Sequence, residues 1–284
     1  MVQSRDVSLP VVGGIVHELG HQICSLPDLY DVAGANSGLG VFSVMAGGSW
    51  GCRSGGVELP GATPPNLDAW SRKYLGWDAP EALTPTGTSV SLICGTPRNG
   101  NFPIARLNSP YLDSAYEYIL AEVRNPNAAD WDGGIGGRLE SRGVDVPASF
   151  KGGVLLQHID ERSGSGSLGG GNDFNAYTEQ GHQGNMAIWA DGDPRAEEAG
   201  QGSYLSLWYA GNGMKPDTYF YGTRDVAVAK QFSGIELSAF SPSGEVASVA
   251  VTQAGTGGGG GCAAAVFPLL LLVGALPFIF RKKK

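Results

Sequence analysis

The stretch Val11-Val12-Gly13-Gly14-Ile15-Val16-His17-Glu18-Leu19-Gly20-His21-Gln22-Ile23 decides how this chain is read. Its apolar residues spread around much of a helical circumference, which predicts a helix and suggests a buried one. Gly13, Gly14 and Gly20 weaken helix propensity but let neighbouring backbone come close. His17 and His21 lie about one turn apart, so both imidazoles share a face and can reach one ion. Glu18, beside His17, can point toward water at that ion. A bound zinc ion lowers the pKa of such water and polarises a scissile carbonyl, which makes Glu18 the candidate general base. Two polar histidines on an ordinary helix would show the same letters by chance. A buried helix carrying His, Glu and His needs a reason, however, because unpaired polar groups are costly to bury.

Zinc requires a third protein ligand. Ser25-Leu26-Pro27-Asp28 breaks the helix, and Asp28 stands where the chain can fold back toward the metal. An Asp that merely forms the turn is the alternative, and Asp31 is the second candidate ligand. Ser43-Val44-Met45-Ala46 is a further relevant stretch, since a Met in a tight turn can form an apolar floor under a metal site. Asn66 or Asp68 can cap a short helix through Ala69–Leu75, which Gly76 stops. Cys24 and Cys52 flank the site and are expected to form a disulfide if the protein is exported; two unpaired thiols are the alternative.

The remainder reads as strand-rich. The 284 residues include 45 glycines and 17 prolines, with 42% hydrophobic and 16% charged residues. That composition supports a folded, turn-rich body. Strands are expected at Ser89–Cys94, Tyr116–Val123, Gly153–Ile159, Met186–Ala190, Tyr204–Tyr209 and Val246–Val251. Ser163–Asn172 reads as a mobile Gly/Ser-rich loop. A net charge of −8 with no basic stripe before the last four residues argues against nucleic acid as a partner. No CxxC pair occurs among Cys24, Cys52, Cys94 and Cys262, which disfavours a structural zinc or redox motif. Gly255–Gly261 reads as a linker. Ala263–Phe280 is apolar and long enough to cross a bilayer, and Arg281-Lys282-Lys283-Lys284 places its end in the cytoplasm. No signal peptide opens the sequence. The zinc motif also comes before any strand that could wall its cleft, so a late or truncated start is expected.

Together these blocks resemble the immune inhibitor A-like secreted bacterial metalloproteases, within the wider metzincin group. The resemblance is carried by His17-Glu18-Leu19-Gly20-His21, Leu26-Pro27-Asp28-Leu29-Tyr30-Asp31, Val44-Met45-Ala46-Gly47-Gly48-Ser49-Trp50 and Pro64-Pro65-Asn66-Leu67-Asp68-Ala69-Trp70. Further along, Glu117–Arg124, Gly153–Glu161 and Ala190-Asp191-Gly192 also fit, so it extends over about residues 11 to 210. It implies that His17, His21 and Asp28 bind zinc, that Glu18 is the general base and that Met45 is the Met-turn. One departure stands out. The family pattern His-Glu-x-x-His-x-x-Gly-x-x-Asp would put Gly at Cys24 and Asp at Pro27, so Asp28 comes one residue late. A Cys24–Cys52 bond would hold the resulting bulge. The tail resembles bacterial C-terminal sorting signals, with Cys262 a candidate for modification.

The expected fold is α+β. A partial metzincin-like catalytic region (active-site helix, Met-turn, C-terminal helix) occupies 1–85 and a β-rich region 86–252. A linker follows over 253–262, and a transmembrane helix with a basic end over 263–284. The expected function is a secreted or surface-anchored zinc (Zn2+) metalloendopeptidase acting on proteins or peptides. The alternative is an inactive surface-anchored binding or adhesion protein on a peptidase scaffold. Calcium (Ca2+) is a second candidate ion, at Asp132, Asp173, Asp191 and Asp193 in oxygen-rich loops. His158 is expected to be a hydrogen-bonded structural residue, and His182 an exposed loop residue.

Overall fold

A computed structural model describes residues 11–34, 37–55, 58–83, 88–94, 103–108, 112, 115–163, 172–175, 184–191, 201–212, 220–221, 231–232, 235–238 and 240–253. The architecture is α+β. The helices are α1 (Gly13–Cys24), α2 (Ala69–Tyr74) and α3 (Gly133–Glu140). The strands are β1 (Glu81–Leu83), β2 (Thr88–Ile93), β3 (Ile104–Leu107), β4 (Glu117–Arg124), β5 (Gly153–Asp160) and β6 (Asn185–Ile188), then β7 (Phe220–Tyr221), β8 (Gln231–Phe232), β9 (Ile235–Ser238) and β10 (Val246–Gln253).

The centre is a five-stranded sheet in the order β1-β3-β4-β5-β6; a second sheet runs β2-β10-β9, and β7 pairs with β8. β4 and β5 pair antiparallel in register from Glu117 opposite Asp160 to Arg124 opposite Gly153. Every residue of both strands is buried, because each face meets a separate layer. On one face Tyr118, Leu120, Leu155 and Ile159 pack with Leu29, Phe42, Met45 and Trp70 of the amino-terminal segment. On the other, Ile119, Ala121, Val123, Val154 and Leu156 pack with Val90, Leu92, Ala247 and Val249 of the second sheet. Each such fully buried aliphatic side chain contributes about 1.5–3 kcal/mol. The site segment therefore rests directly on the central sheet.

Polar groups fasten this layer. Glu122 and Arg124 leave β4 on the same face. Glu122 Oε1 accepts from the Ala69 N–H at 3.0 Å, and Arg124 Nη2 donates to the carbonyls of Phe42 (2.6 Å) and Asn66 (2.9 Å). Asp68, the N-cap of α2, accepts from the Ser71 N–H and from the hydroxyls of Ser71 and Ser43.

Several expectations need correction. The stretch Tyr204–Tyr209 is not a strand: Tyr204–Ser206 form a 3-10 turn, and only Trp208 bridges to Val154. Ser203 and Ser206 cap each other reciprocally, and that local bonding wins over strand propensity. The helix α1 is not buried all round. Gly13, His17 and Gly20 form its buried stripe, whereas Ile15 is 61% and Ile23 74% exposed. The helix α3 was not among the expected elements. Its glycines allow backbone-to-backbone approach: a β-carbon on Gly134 would fall 1.7 Å from the Thr63 carbonyl oxygen, and one on Gly137 2.2 Å from that of Cys52.

The expected Cys24–Cys52 disulfide is also absent; Cys24, Cys52 and Cys94 are free thiols. The Gly13 N–H bonds the Gly61 carbonyl and the Gly61 N–H that of Gly51, so Cys52 is tied to the start of α1. Cys24 lies at the far end, about 16 Å along at ~1.5 Å per residue, well beyond disulfide reach. Among the described residues no helix is long and apolar enough to cross a membrane. The expected membrane helix over 263–284, its linker from 254 and Cys262 lie outside the described residues, as do His182 and Asp193.

Candidate metal centre

The helix α1 places His17 and His21 one turn apart, with their ring centroids 4.7 Å from each other. Both rings are oriented from behind. His17 Nδ1 lies 2.9 Å from the Val44 carbonyl oxygen, and His21 Nδ1 2.6 Å from that of Leu26. Carbonyls only accept, so each Nδ1 carries a proton, and Nε2 is the ring nitrogen that can offer a lone pair to an ion.

The chain then reverses at Ser25, a non-glycine residue in the left-handed region (φ 53°); the Ser25 N–H closes on the His21 carbonyl and the Leu26 N–H on that of Gly20. The turn returns Asp28 to the helix. Its Oδ1 lies 3.1 Å from His17 Nε2 and 3.4 Å from His21 Nε2, while the two Nε2 atoms are 3.1 Å apart. The residue late in the Asp28 spacing is thus taken up at the helix end: α1 runs through Cys24 and the reversal falls on Ser25.

Three electron-rich atoms therefore converge, and Asp28 Oδ1 is buried with no hydrogen-bond donor. Neutral imidazoles and a carboxylate would repel in this arrangement unless a cation lay among them. Separations of 3.1–3.4 Å match corners of a tetrahedron with bonds of about 2.0–2.1 Å, the zinc distances for nitrogen and oxygen ligands. Among the described residues, His17, His21 and Asp28 are the one group of His, Cys, Asp or Glu side chains arranged to hold a metal ion. The electrostatics favour positive charge at this point, which a proton on His17 supplies when no ion is bound. Burial pulls the His17 imidazole pKa down, but the nearby Asp28 carboxylate and the Val44 carbonyl outweigh it and leave it raised. Burial would raise the Asp28 carboxyl, but His17 and Asn172 hold it below the ordinary range.

The floor is built by the turn Val44-Met45-Ala46. While Val44 orients His17, the Met45 carbonyl accepts from the Leu29 N–H at 2.9 Å and so anchors the chain just after Asp28. The Met45 side chain is fully buried against Gly20, on the face of α1 that carries the histidines. Glu18 is exposed. It lines a cleft of about 600 Å3 shared with His17, Tyr30, Trp50, Arg138 and Gln201. The Tyr30 phenol is pushed up to about 12 by burial and by the charge and hydrogen bond of Asp28.

Other candidates separate from this centre. Asp31 is buried beside the cleft, where its Oδ1 accepts from the Ala33 N–H at 3.0 Å, and it does not join the cluster. Asp132, a proposed calcium ligand, instead pairs with Arg124 at 3.2 Å and accepts from Asn66. Asp191 accepts from the hydroxyls of Ser203 and Ser206. Neither they nor Asp173 lies in a metal-type cluster among the described residues. His158 is buried with Nε2 3.1 Å from Glu117 Oε1, on the sheet face away from the site. Arg138 and Gln201, which wall the cleft, and Asn172, which bonds Asp28, escaped the sequence reading. They lie far along the chain in segments without a motif.

A comparison with curated proteins finds no match. Residues 3–78, which contain His17, Glu18, His21, Asp28 and Met45, match the family model described as the immune inhibitor A peptidase M6 catalytic domain, and the match supports a metallopeptidase-type function.

Proposed function

We propose that this chain is a zinc metalloendopeptidase that hydrolyses peptide bonds in proteins. The observation that carries the proposal is the convergence of two Nδ1-anchored imidazoles and one donorless buried carboxylate oxygen on a single point beside an open cleft. His17, His21 and Asp28 would hold the ion. When bound, zinc supplies Lewis-acid polarisation of a carbonyl and makes water more acidic. Glu18, next in sequence to His17 and exposed in the cleft, takes the water proton on its carboxylate and returns it to the leaving amine. The Val44 and Leu26 carbonyls hold the Nδ1 protons on the far side of each ring, which turns both Nε2 atoms toward the ion. The Trp50 and Val32 side chains give the cleft apolar wall on which a peptide can lie. The apolar, basic-ended tail is proposed, from its sequence alone, to anchor an exported protein at the cell surface.

The test measures bound metal and proteolysis on the full chain. About one zinc per chain is expected, with digestion of an unfolded protein substrate lost to a chelator and restored by zinc. Glu18→Ala should keep the zinc and lose activity by about 10²–10⁴-fold. A chain that takes up no zinc after supplementation and cuts nothing would instead be a binding or adhesion protein on this scaffold.

A further inference from the structure

Asp28 is gripped from a point 144 residues further along the chain. Its backbone N–H donates to Asn172 Oδ1 at 2.7 Å, and Asn172 Nδ2 donates to Asp28 Oδ2. One amide thus engages the main chain and the carboxylate of the same residue. Its orientation is unambiguous, because an N–H can meet only the amide oxygen and a carboxylate only the amide nitrogen. The consequence is geometric. With Oδ2 taken by Asn172, the carboxylate cannot turn over, and Oδ1 stays directed at the two Nε2 atoms, 3.1 and 3.4 Å away. His17 and His21 are oriented by the main-chain carbonyls of Val44 and Leu26, which substitution does not remove. The hydrogen bonds from Asn172 come instead from a side chain.

We infer that Asn172 is the positioning residue of the metal centre, an outer-sphere group that presents the third ligand. This rests on the zinc-peptidase proposal for His17, His21 and Asp28. The amide removes one carboxylate oxygen from competition for the ion and satisfies the Asp28 N–H, which would otherwise be left without its partner. Outer-sphere partners of metal ligands typically set affinity by about 10–100-fold. The segment after β5 therefore completes a site whose ligands all lie within residues 17–28.

The experiment uses the full chain and measures zinc affinity by competition with a chromophoric chelator, together with the visible spectrum of the cobalt-substituted protein. Asn172→Ala should weaken zinc binding by about 10–100-fold and shift the cobalt bands. Asn172→Asp keeps the size and the acceptor for the Asp28 N–H but sets a second carboxylate against Asp28 Oδ2. It should lose at least as much affinity, whereas a residue that merely fills space would tolerate it. It also serves as the test if the alanine variant does not fold. Zinc affinities within twofold of the parent chain, with superimposable cobalt spectra, would overturn the inference while leaving the peptidase proposal intact. A parent chain that binds no zinc would overturn both.

Discussion

A β-carbon built on Gly20 would fall 2.6 Å from Met45 Sδ and 3.1 Å from Met45 Cε. The helix that carries both histidines and the turn beneath it are therefore in contact at a position only glycine can occupy unchanged. Gly20→Ala gains about 1 kcal/mol of helix propensity. It meets a fully buried side chain, however, and such overpacking costs about 1–3 kcal/mol. The net expectation is destabilisation. Met45→Ala alone leaves a void worth about 2–5 kcal/mol. In the double variant the new β-carbon occupies part of that void, so the two losses should sum to more than the double loss by about 1 kcal/mol or more. Urea unfolding of the four proteins measures this coupling; strict additivity would mean that the contact does not constrain the helix.

Ser25 holds a left-handed conformation (φ 53°, ψ 30°) on an exposed surface at the end of α1. For a residue with a β-carbon that conformation costs about 1–2 kcal/mol, part of which a glycine returns as unfolded-state entropy. Ser25→Gly should raise stability by about 0.5–1 kcal/mol. A thermal melt decides it, and a lower midpoint would show that the serine side chain contributes something its backbone does not reveal.

Arg124 is buried in full between Asp132 at 3.2 Å and Glu122 at 3.3 Å and donates to the Phe42 and Asn66 carbonyls. Arg124→Met keeps much of the volume but takes a buried cation away from two carboxylates and a donor away from the Phe42, Asn66 and Leu67 carbonyls. A loss of about 3–5 kcal/mol is expected, together with loosening of the site segment from the sheet. Denaturant unfolding followed by tryptophan fluorescence measures the first. A loss under about 1 kcal/mol would assign the layer contact to apolar packing alone.

Asp68 has its carboxyl pKa raised, first by complete burial and then by the charge of Glu122. Because the folded value exceeds the unfolded one, protonation favours the fold. This contribution is fully present below the ordinary carboxyl value of about 3.9 and is lost as pH rises through the raised folded value. Asp68→Asn keeps an acceptor for the Ser71 N–H but cannot ionise. Its stability relative to the parent should therefore improve as pH rises from about 4 toward neutrality. Urea midpoints across that range check the slope; a difference independent of pH would mean that the group does not titrate in the folded state.

The legible parts of the fold were those whose signal is local. Glu117–Arg124 and Gly153–Asp160 declare themselves as strands because apolar residues fill both faces. The α2 cap was readable because an Asp immediately before a helix bonds its own first turn. The α3 helix was not readable: with four of its eight residues glycine, its propensity is poor, and only the backbone of Thr63 and Cys52 against it explains the composition. Tyr204–Tyr209 has the composition of a strand but yields to the reciprocal serine cap.

By itself the sequence determined the chemistry of the centre. Imidazoles four residues apart on a helix must share a face, and an acid beside them must lie near whatever they bind. Tertiary structure alone decided which acid closes the cluster, since Asp28 and Asp31 differ only in how the Ser25 reversal directs them. It also decided that Cys24 and Cys52 stay apart, because a rigid helix separates the elements they belong to. Finally, it brought Asn172 to Asp28, a contact across 144 residues that no periodicity can encode, because it depends on where the central sheet sets the segments it carries.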